Sequence, residues 1–165
     1  MFTINAHSDF VSSVRFTDDR KKILSAGGDG KIKVWDFKSK ENLRTLEGNF
    51  GPVHSIEIRN NVVISGGLDR TIRVWDFETG NLYDSAETRS EAIRSMGVSI
   101  DNSFVASGSN DRVIEIFCKH GRGVQYLDAG SGAKSLQFCS NSRKIFSGHI
   151  DGTIRIWTSK VPIIY

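Results

Sequence analysis

Ser25-Ala-Gly-Gly-Asp-Gly-Lys-Ile-Lys-Val-Trp-Asp36 is a twelve-residue stretch that the chain writes four times. The other copies are Ser65-Gly-Gly-Leu-Asp-Arg-Thr-Ile-Arg-Val-Trp-Asp76, Ser107-Gly-Ser-Asn-Asp-Arg-Val-Ile-Glu-Ile-Phe-Cys118 and Ser147-Gly-His-Ile-Asp-Gly-Thr-Ile-Arg-Ile-Trp-Thr158. Their central aspartates, Asp29, Asp69, Asp111 and Asp151, are spaced by 40, 42 and 40 residues. A fixed period of that size means one supersecondary unit repeated, so the architecture has to be read before any single residue.

Working outward, each repeat reads strand, turn, strand, turn, strand, turn, strand. In the first, Val11–Phe16, Lys22–Ala26, Lys31–Asp36 and Leu43–Leu46 are the strands, broken by Thr17-Asp18-Asp19, Gly27-Gly28-Asp29-Gly30 and Lys38-Ser39-Lys40. The second gives Val53–Ile58, Val62–Ser65, Thr71–Asp76 and Leu82–Ala86. The later repeats keep the rhythm, with breaks at Asp101-Asn102, Lys119-His120-Gly121 and Ser140-Asn141-Ser142. Short β-branched runs bounded by Gly, Asn, Asp and Ser argue for antiparallel all-β structure. No window carries a 3.6-residue apolar stripe, so helices find no support. Pro52 and Pro162 fall at strand beginnings, where a missing N–H does little harm.

The third strand of each repeat says more. Alternation puts Ile32 and Val34 on one face and Trp35 on the other. A sheet with apolar anchors on both faces wants a neighbour on each side, and stacked four-stranded units meet that demand, as in a propeller.

Composition sets the outer bounds. The chain has 165 residues, 38% hydrophobic and 25% charged, which is ordinary for a globular domain. A formal charge of +3, with no basic run longer than Arg20-Lys21-Lys22, disfavours a dedicated nucleic-acid binder. Cys118 and Cys139 give neither a disulfide framework nor a CxxC metal pair, and reduced thiols in the cytosol or nucleus are the plain expectation. The opening Met1–His7 has no signal-peptide pattern, and no apolar run approaches the roughly 20 residues that cross a bilayer.

These features resemble the WD-repeat family of β-propellers over essentially the whole chain. The period fits the family, and two copies end in Trp35-Asp36 and Trp75-Asp76. The third ends Phe117-Cys118 and the fourth Trp157-Thr158, while the family's opening Gly-His survives only as Ala6-His7, with Gly48-Asn49, Thr88-Arg89 and Asp128-Ala129 at the corresponding places. The resemblance implies one propeller region over 1–165, with repeats at about 6–46, 47–86, 87–127 and 128–165.

His7, Ser25 and Asp29 invite a catalytic reading. The resemblance implies instead that the turn Asp bonds His, His bonds Ser, and Ser bonds the Trp35 indole, a chain that satisfies buried polar groups and ties strands together. Repetition favours that reading, because Ser65/Asp69/Trp75, Ser107/Asp111 and Ser147/Asp151/Trp157 recur at the same spacing. The network is expected complete only in repeat one; elsewhere, without the His, the aspartates must find backbone N–H groups. No catalytic residue, metal site or cofactor is expected. The Gly27–Gly30 run lacks the P-loop Lys-Ser/Thr and any following helix, and His54, His120 and His149 have no ligand-spaced partner. Lys33, Arg73 and Arg155, alternating with apolar residues, read as solvated strand faces.

The resemblance also implies a docking surface on the narrow face around the propeller's central channel. Two classes of position point there: Ser12, His54, Arg94 and Lys134, and Gly28, Leu68, Asn110 and Ile150, with Phe10 and Pro52 one step outward. His54, Arg94 and Lys134, with Leu68 and Ile150 between them, suit an acidic or phosphorylated peptide. The family's docking signature for one class of ubiquitin ligase, an Arg two residues after Trp-Asp, is replaced by Lys38 and Glu78. The expected function is thus a non-enzymatic scaffold joining proteins in a cytosolic or nuclear complex. The alternative is an RNA-processing or ribosome-biogenesis subunit whose propeller touches nucleic acid.

Closure is the open question. Phe2-Thr-Ile4 reads as the tail of an outer strand of a preceding blade, and Val161–Tyr165 as the outer strand after repeat four. That leaves surplus strand at both ends and two apolar faces in water. The favoured expectation is a segment completed by further blades of a longer protein. Self-pairing of two arcs comes next, and a small closed ring remains the third.

Overall fold

The computed structural model describes residues 2–118, 123–140 and 144–158. Every regular element in it is a β-strand. Lys119-His120-Gly121, Asn141-Ser142, Pro162 and the strand expected at Val161–Tyr165 lie outside the described residues.

The chain divides into two compact units, Met1–Ile93 and Arg94–Tyr165. The first holds two four-stranded antiparallel sheets. One is β1 (Val11–Phe16), β2 (Lys22–Gly27), β3 (Ile32–Asp36) and β4 (Asn42–Leu46). The other is β5 (Val53–Arg59), β6 (Val62–Gly67), β7 (Thr71–Asp76) and β8 (Leu82–Glu87). The second unit holds β9 (Ser95–Val98), β10 (Phe104–Gly108), β11 (Val113–Cys118) and β12 (Val124–Asp128) in one sheet. Its other sheet comprises β13 (Ala133–Phe138), β14 (Lys144–His149) and β15 (Ile154–Thr158). Strands follow one another as neighbours in chain order, the meander that short turns impose on antiparallel pairs.

One register runs through the molecule. Ser25 faces Lys33, Ser65 faces Arg73, Ser107 faces Glu115 and Ser147 faces Arg155. The first strand enters each of three sheets with the same shift, between Val11 and Ser13, Val53 and Ser55, and Ala133 and Ser135. Such a bulge aims the residue inside it away from the ladder. It is the position of Ser12, His54 and Lys134.

The turn before each third strand is also built one way. The turn aspartate accepts the backbone N–H two residues on: Lys31 from Asp29 at 3.1 Å, Thr71 from Asp69 at 3.2 Å, Val113 from Asp111 at 3.2 Å, and Thr153 from Asp151 at 3.0 Å. The residue between them is left-handed in all four: Gly30 (φ 76°), Arg70 (60°), Arg112 (73°) and Gly152 (81°). The short Asp side chain replaces a backbone acceptor, and glycine takes the left-handed site in two repeats.

Each unit has a core between its two sheets. In the first, Leu24, Ile32 and Val34 pack with Ile56, Val63 and Trp75. In the second, Ala106, Ile114 and Ile116 pack with Leu136, Phe138 and Ile145. Phe2–Ile4, read from the sequence as the tail of an outer strand of a preceding blade, form no strand with the described residues.

Glycine at one strand end is a packing requirement. A Cβ on Gly67 would lie 2.1 Å from the Pro52 carbonyl oxygen and 2.9 Å from Val53 Cα. Backbone cannot step aside there, whereas a Cβ on Gly148 would meet only the Ser135 hydroxyl at 2.6 Å, which can rotate. Gly67→Ala should therefore cost about 1–3 kcal/mol or more in urea unfolding, with Gly148→Ala clearly milder.

Candidate functional site

The residues that look like chemistry form a buried chain in the first sheet. Trp35 Nε1 donates to Ser25 Oγ at 2.9 Å, Ser25 Oγ lies 2.8 Å from His7 Nε2, and His7 Nδ1 lies 2.8 Å from Asp29 Oδ1. An indole can only donate and a carboxylate can only accept, so one direction satisfies every member. The serine accepts from Trp35 and gives its proton to Nε2, and the Nδ1–H goes to Asp29. Burial pushes the Asp29 carboxyl up, but the His7 bond and the Lys31 and Ser8 N–H groups outweigh it and hold the carboxyl below its ordinary value. Gly27 makes room, since a Cβ there would sit 2.6 Å from the His7 ring.

Ser, His and Asp stand here in the order of a hydrolytic triad without its access. The Ser25 oxygen is buried and already carries the indole N–H. A nucleophile needs an open path and an oxyanion pocket beside it, and the indole occupies that approach.

The other repeats end the serine's chain differently, while Asp69, Asp111 and Asp151 each accept a backbone N–H. In the second sheet Trp75 Nε1 donates to Ser65 Oγ at 2.9 Å, and Ser65 Oγ donates to Asn49 Oδ1 at 3.3 Å. Arg73 Nη1 then bridges Asn49 Oδ1 at 3.4 Å and Asp69 Oδ2 at 2.6 Å. Asn49 stands where the first repeat has His7. It is too short to reach the aspartate, and the guanidinium spans the gap. Arg73 is accordingly buried, so its reading as a solvated strand face is wrong.

In the fourth sheet Trp157 Nε1 donates to Ser147 Oγ at 2.7 Å, and Ser147 Oγ lies 2.6 Å from His149 Nε2. His149 Nδ1 reaches the Ser131 carbonyl at 2.9 Å. His149 occupies the register of Gly27, so the imidazole comes from the strand where the first repeat brings it from the preceding loop. Asp151, released from that duty, binds Arg155 at 2.6 Å. The Thr153 hydroxyl and N–H, with Arg155, hold its carboxyl down to about 2 against the opposing effect of desolvation. The third repeat has Phe117 in place of Trp, with no indole N–H to satisfy, and Asp111 takes the Ser109 hydroxyl at 2.5 Å.

The sequence held the signal for these variants. Asp69/Arg73 and Asp151/Arg155 are Asp and Arg four residues apart across the turn, and both pairs close as ion pairs at 2.6 Å. Lys33 donates to the Ala6 carbonyl at 2.6 Å. All three strand cations are therefore engaged.

The docking-face candidates gather within each unit. In the first, Phe10 stacks on His54 with centroids 6.4 Å apart, and Leu68 is tied to Pro52 through a backbone bond of 2.9 Å. Phe10 and Leu68 are half-exposed. The Ser12 hydroxyl donates to the Ala26 carbonyl at 3.0 Å and also reaches the Val53 carbonyl, linking the two sheets. In the second unit Lys134 Nζ donates to Asn110 Oδ1 at 3.1 Å, and Ile150 N–H to the Gly132 carbonyl at 3.0 Å. Ile150 is exposed; Arg94 is half-buried, with its N–H on the Gly108 carbonyl at 2.8 Å. Among the described residues no group of His, Cys, Asp and Glu could hold a metal ion.

Comparison with known proteins agrees with this repeated geometry. The WD40 family model, "WD domain, G-beta repeat", matches residues 1–36, 40–76, 83–118 and 124–158. The chain belongs to the WD40 family. Among relatives, the autophagy-related protein 16 of Arabidopsis thaliana is 25% identical over 93% of this chain and 31% of its own length. The guanine nucleotide-binding protein subunit beta-5b of Danio rerio is 29% identical over 94% of this chain and 41% of its own. A probable E3 ubiquitin ligase complex SCF subunit, sconB, of Talaromyces stipitatus is 38% identical over 33% of this chain and 8% of its own. The chain thus spans well under half of the length of these relatives.

Ser25→Ala removes the acceptor of the Trp35 indole and the partner of His7 at once. Each orphaned buried group costs about 1–3 kcal/mol, so chemical denaturation should show a loss of that order. Ser107→Ala, which orphans no indole, should lose less.

Proposed function

We propose that this chain is a non-catalytic platform in a multiprotein complex of the cytosol or nucleus, docking partner proteins at the end of the sheets that carries the aspartate turns. The observation behind this is the contrast at those turns. The aspartates, serines, tryptophans and strand cations are consumed by internal bonds, while Leu68 and Ile150, each next to a bonded turn aspartate, and Phe10, whose carbonyl takes the Gly28 N–H, stay exposed. Rigid backbone presenting apolar side chains loses little entropy on binding.

Each unit supports its own partner chemistry. Phe10 on His54, with Leu68 and Pro52, suits an aliphatic or aromatic anchor of a peptide. Lys134, exposed beside Asn110 and Ile150, suits an acidic or phosphorylated residue through a charge-assisted hydrogen bond. Direct nucleic-acid contact has less support, because Lys33, Arg73 and Arg155 already hold Ala6, Asp69 and Asp151. The named complexes of the relatives agree with the scaffold class and go no further.

Affinity capture with quantitative mass spectrometry tests this. Phe10→Ala with Leu68→Glu, and separately Lys134→Glu, should each lower recovery of specific partners by tenfold or more (roughly 1.4 kcal/mol or above) with the melting temperature unchanged. Full recovery by both variants would remove this end of the sheets from consideration.

A further inference from the structure

The end of the sheets opposite the aspartate turns holds a cleft of its own. In the first unit the β1–β2 turn, the β5–β6 turn and the residues after β7 border a space of about 220 Å³. That is below the roughly 300–1,000 Å³ of small-molecule sites and leaves room for one long side chain. Its walls belong to two sheets that pack on one another. They are tied together at this end as well: Arg44 Nη1 donates to the Phe77 carbonyl at 2.5 Å, and Lys22 Nζ sits 4.9 Å over the Phe77 ring.

Most of the polar groups lining the cleft accept hydrogen bonds. Asp18, Asp19 and Glu78 bring carboxylates and Asn60 and Asn61 bring amides, against the single ammonium of Lys22. Arg20 and Lys21, on the same turn, do not line it. Asp19 is spent on the turn, where its Oδ1 takes the Thr17 hydroxyl at 2.6 Å and the Lys21 N–H at 3.0 Å. Glu78 lies 3.9 Å from the Lys22 ammonium, too far for a hydrogen bond. Among the described residues the side chains of Asp18, Asn60 and Asn61 make no hydrogen bond.

The repeat does not require this chemistry. In the second unit the corresponding turn closes the same way, with the Ser99 hydroxyl on Asp101 Oδ1 at 2.6 Å and the Ser99 N–H on the Phe104 carbonyl at 3.0 Å. In the first, the Thr17 N–H meets the Lys22 carbonyl at 3.1 Å. That register aligns Asp101 with Asp19, but it puts Ile100 in the place of Asp18 and Phe104 in the place of Lys22. The turn aspartate is structural in both units. The spare carboxylate of Asp18 belongs to the first alone.

We propose that this cleft seats one arginine side chain of a partner protein. A guanidinium is flat, always charged and carries five N–H donors, and acceptors are what the cleft has to spare. Asp18 and Glu78 supply charge-assisted acceptors, the Asn60 and Asn61 carbonyl oxygens supply neutral ones, and Ile58 offers apolar surface to the stem. Lysine fits less well, because its ammonium has only three donors and the aromatic seat a cation would take is filled by Lys22. An anion would meet Asp18 and Glu78 with like charge. The site lies at the other end of the sheets from Phe10, Leu68 and Lys134, and it stands whether or not partners dock there.

NMR titration of the isotope-labelled full chain with Nα-acetylarginine amide tests this, with the uncharged isostere Nα-acetylcitrulline amide as the comparison. The arginine probe should saturably shift the Asn60 and Asn61 side-chain amides and the Asp18 backbone N–H. It should bind at least about tenfold more tightly than the citrulline probe. Asp18→Asn with Glu78→Gln should weaken it by about tenfold or more, with the signals of the rest of the chain in place. Asp19 is kept in that variant so that the turn stays closed. Should the double variant unfold, Asp18→Asn alone carries the comparison. No saturable shift at these residues, equal binding of the two probes, or undiminished binding by the variant would each overturn the proposal. So would inorganic phosphate moving the same signals at lower concentration than the arginine probe.

Discussion

A tryptophan indole N–H bonded to a serine hydroxyl on the neighbouring strand is the contact on which the rest depends. It is made at 2.9, 2.9 and 2.7 Å by Trp35–Ser25, Trp75–Ser65 and Trp157–Ser147. The bond solves two problems together. It satisfies the one polar atom of a large ring and the one hydroxyl of a small buried residue. It also holds the ring on its strand where, for Trp75 and Trp157, it packs in or against a sheet-on-sheet core. Where the ring is Phe117 the polar demand disappears.

Downstream of that bond the repeats diverge, within limits set by donor and acceptor counts. The serine proton needs an acceptor, and three have been found: His7 from the loop, His149 from the strand end, and Asn49 with Arg73 to complete the span. The turn aspartate has one duty it never gives up, the backbone N–H two residues on. Its bond to a histidine is an addition made in one repeat. The Ser-His-Asp order of the first repeat is therefore a consequence of satisfying buried groups, and it leaves the serine oxygen with no approach for a substrate.

Most of the framework was legible because period-2 alternation and turn residues are local. β1 and β7 match the boundaries read from the sequence, while β2, β3 and β4 differ by a single residue at one end. What alternation could not give was depth. It placed Arg73 on the tryptophan face correctly, but whether that face meets water depends on what lies over it. The Asp69–Arg73 spacing was the cue, because a tight turn folds the guanidinium back onto the carboxylate. His149 was missed for a similar reason, since one ring can reach the same serine from two backbone positions and a linear alignment sees only one. The strand read at Phe2–Ile4 presumed a sheet edge that the described residues do not supply.

The invariant parts hold the sheets, and the residues next to them vary from repeat to repeat. That division stands or falls on whether the serine–indole bonds are present and persistent. Hydrogen exchange of the three indole N–H protons by NMR reports this directly. Slow exchange at Trp35, Trp75 and Trp157, with Ser65→Ala releasing Trp75 alone, is the predicted result. Exchange at the rate of a free indole in the unsubstituted chain would contradict the account.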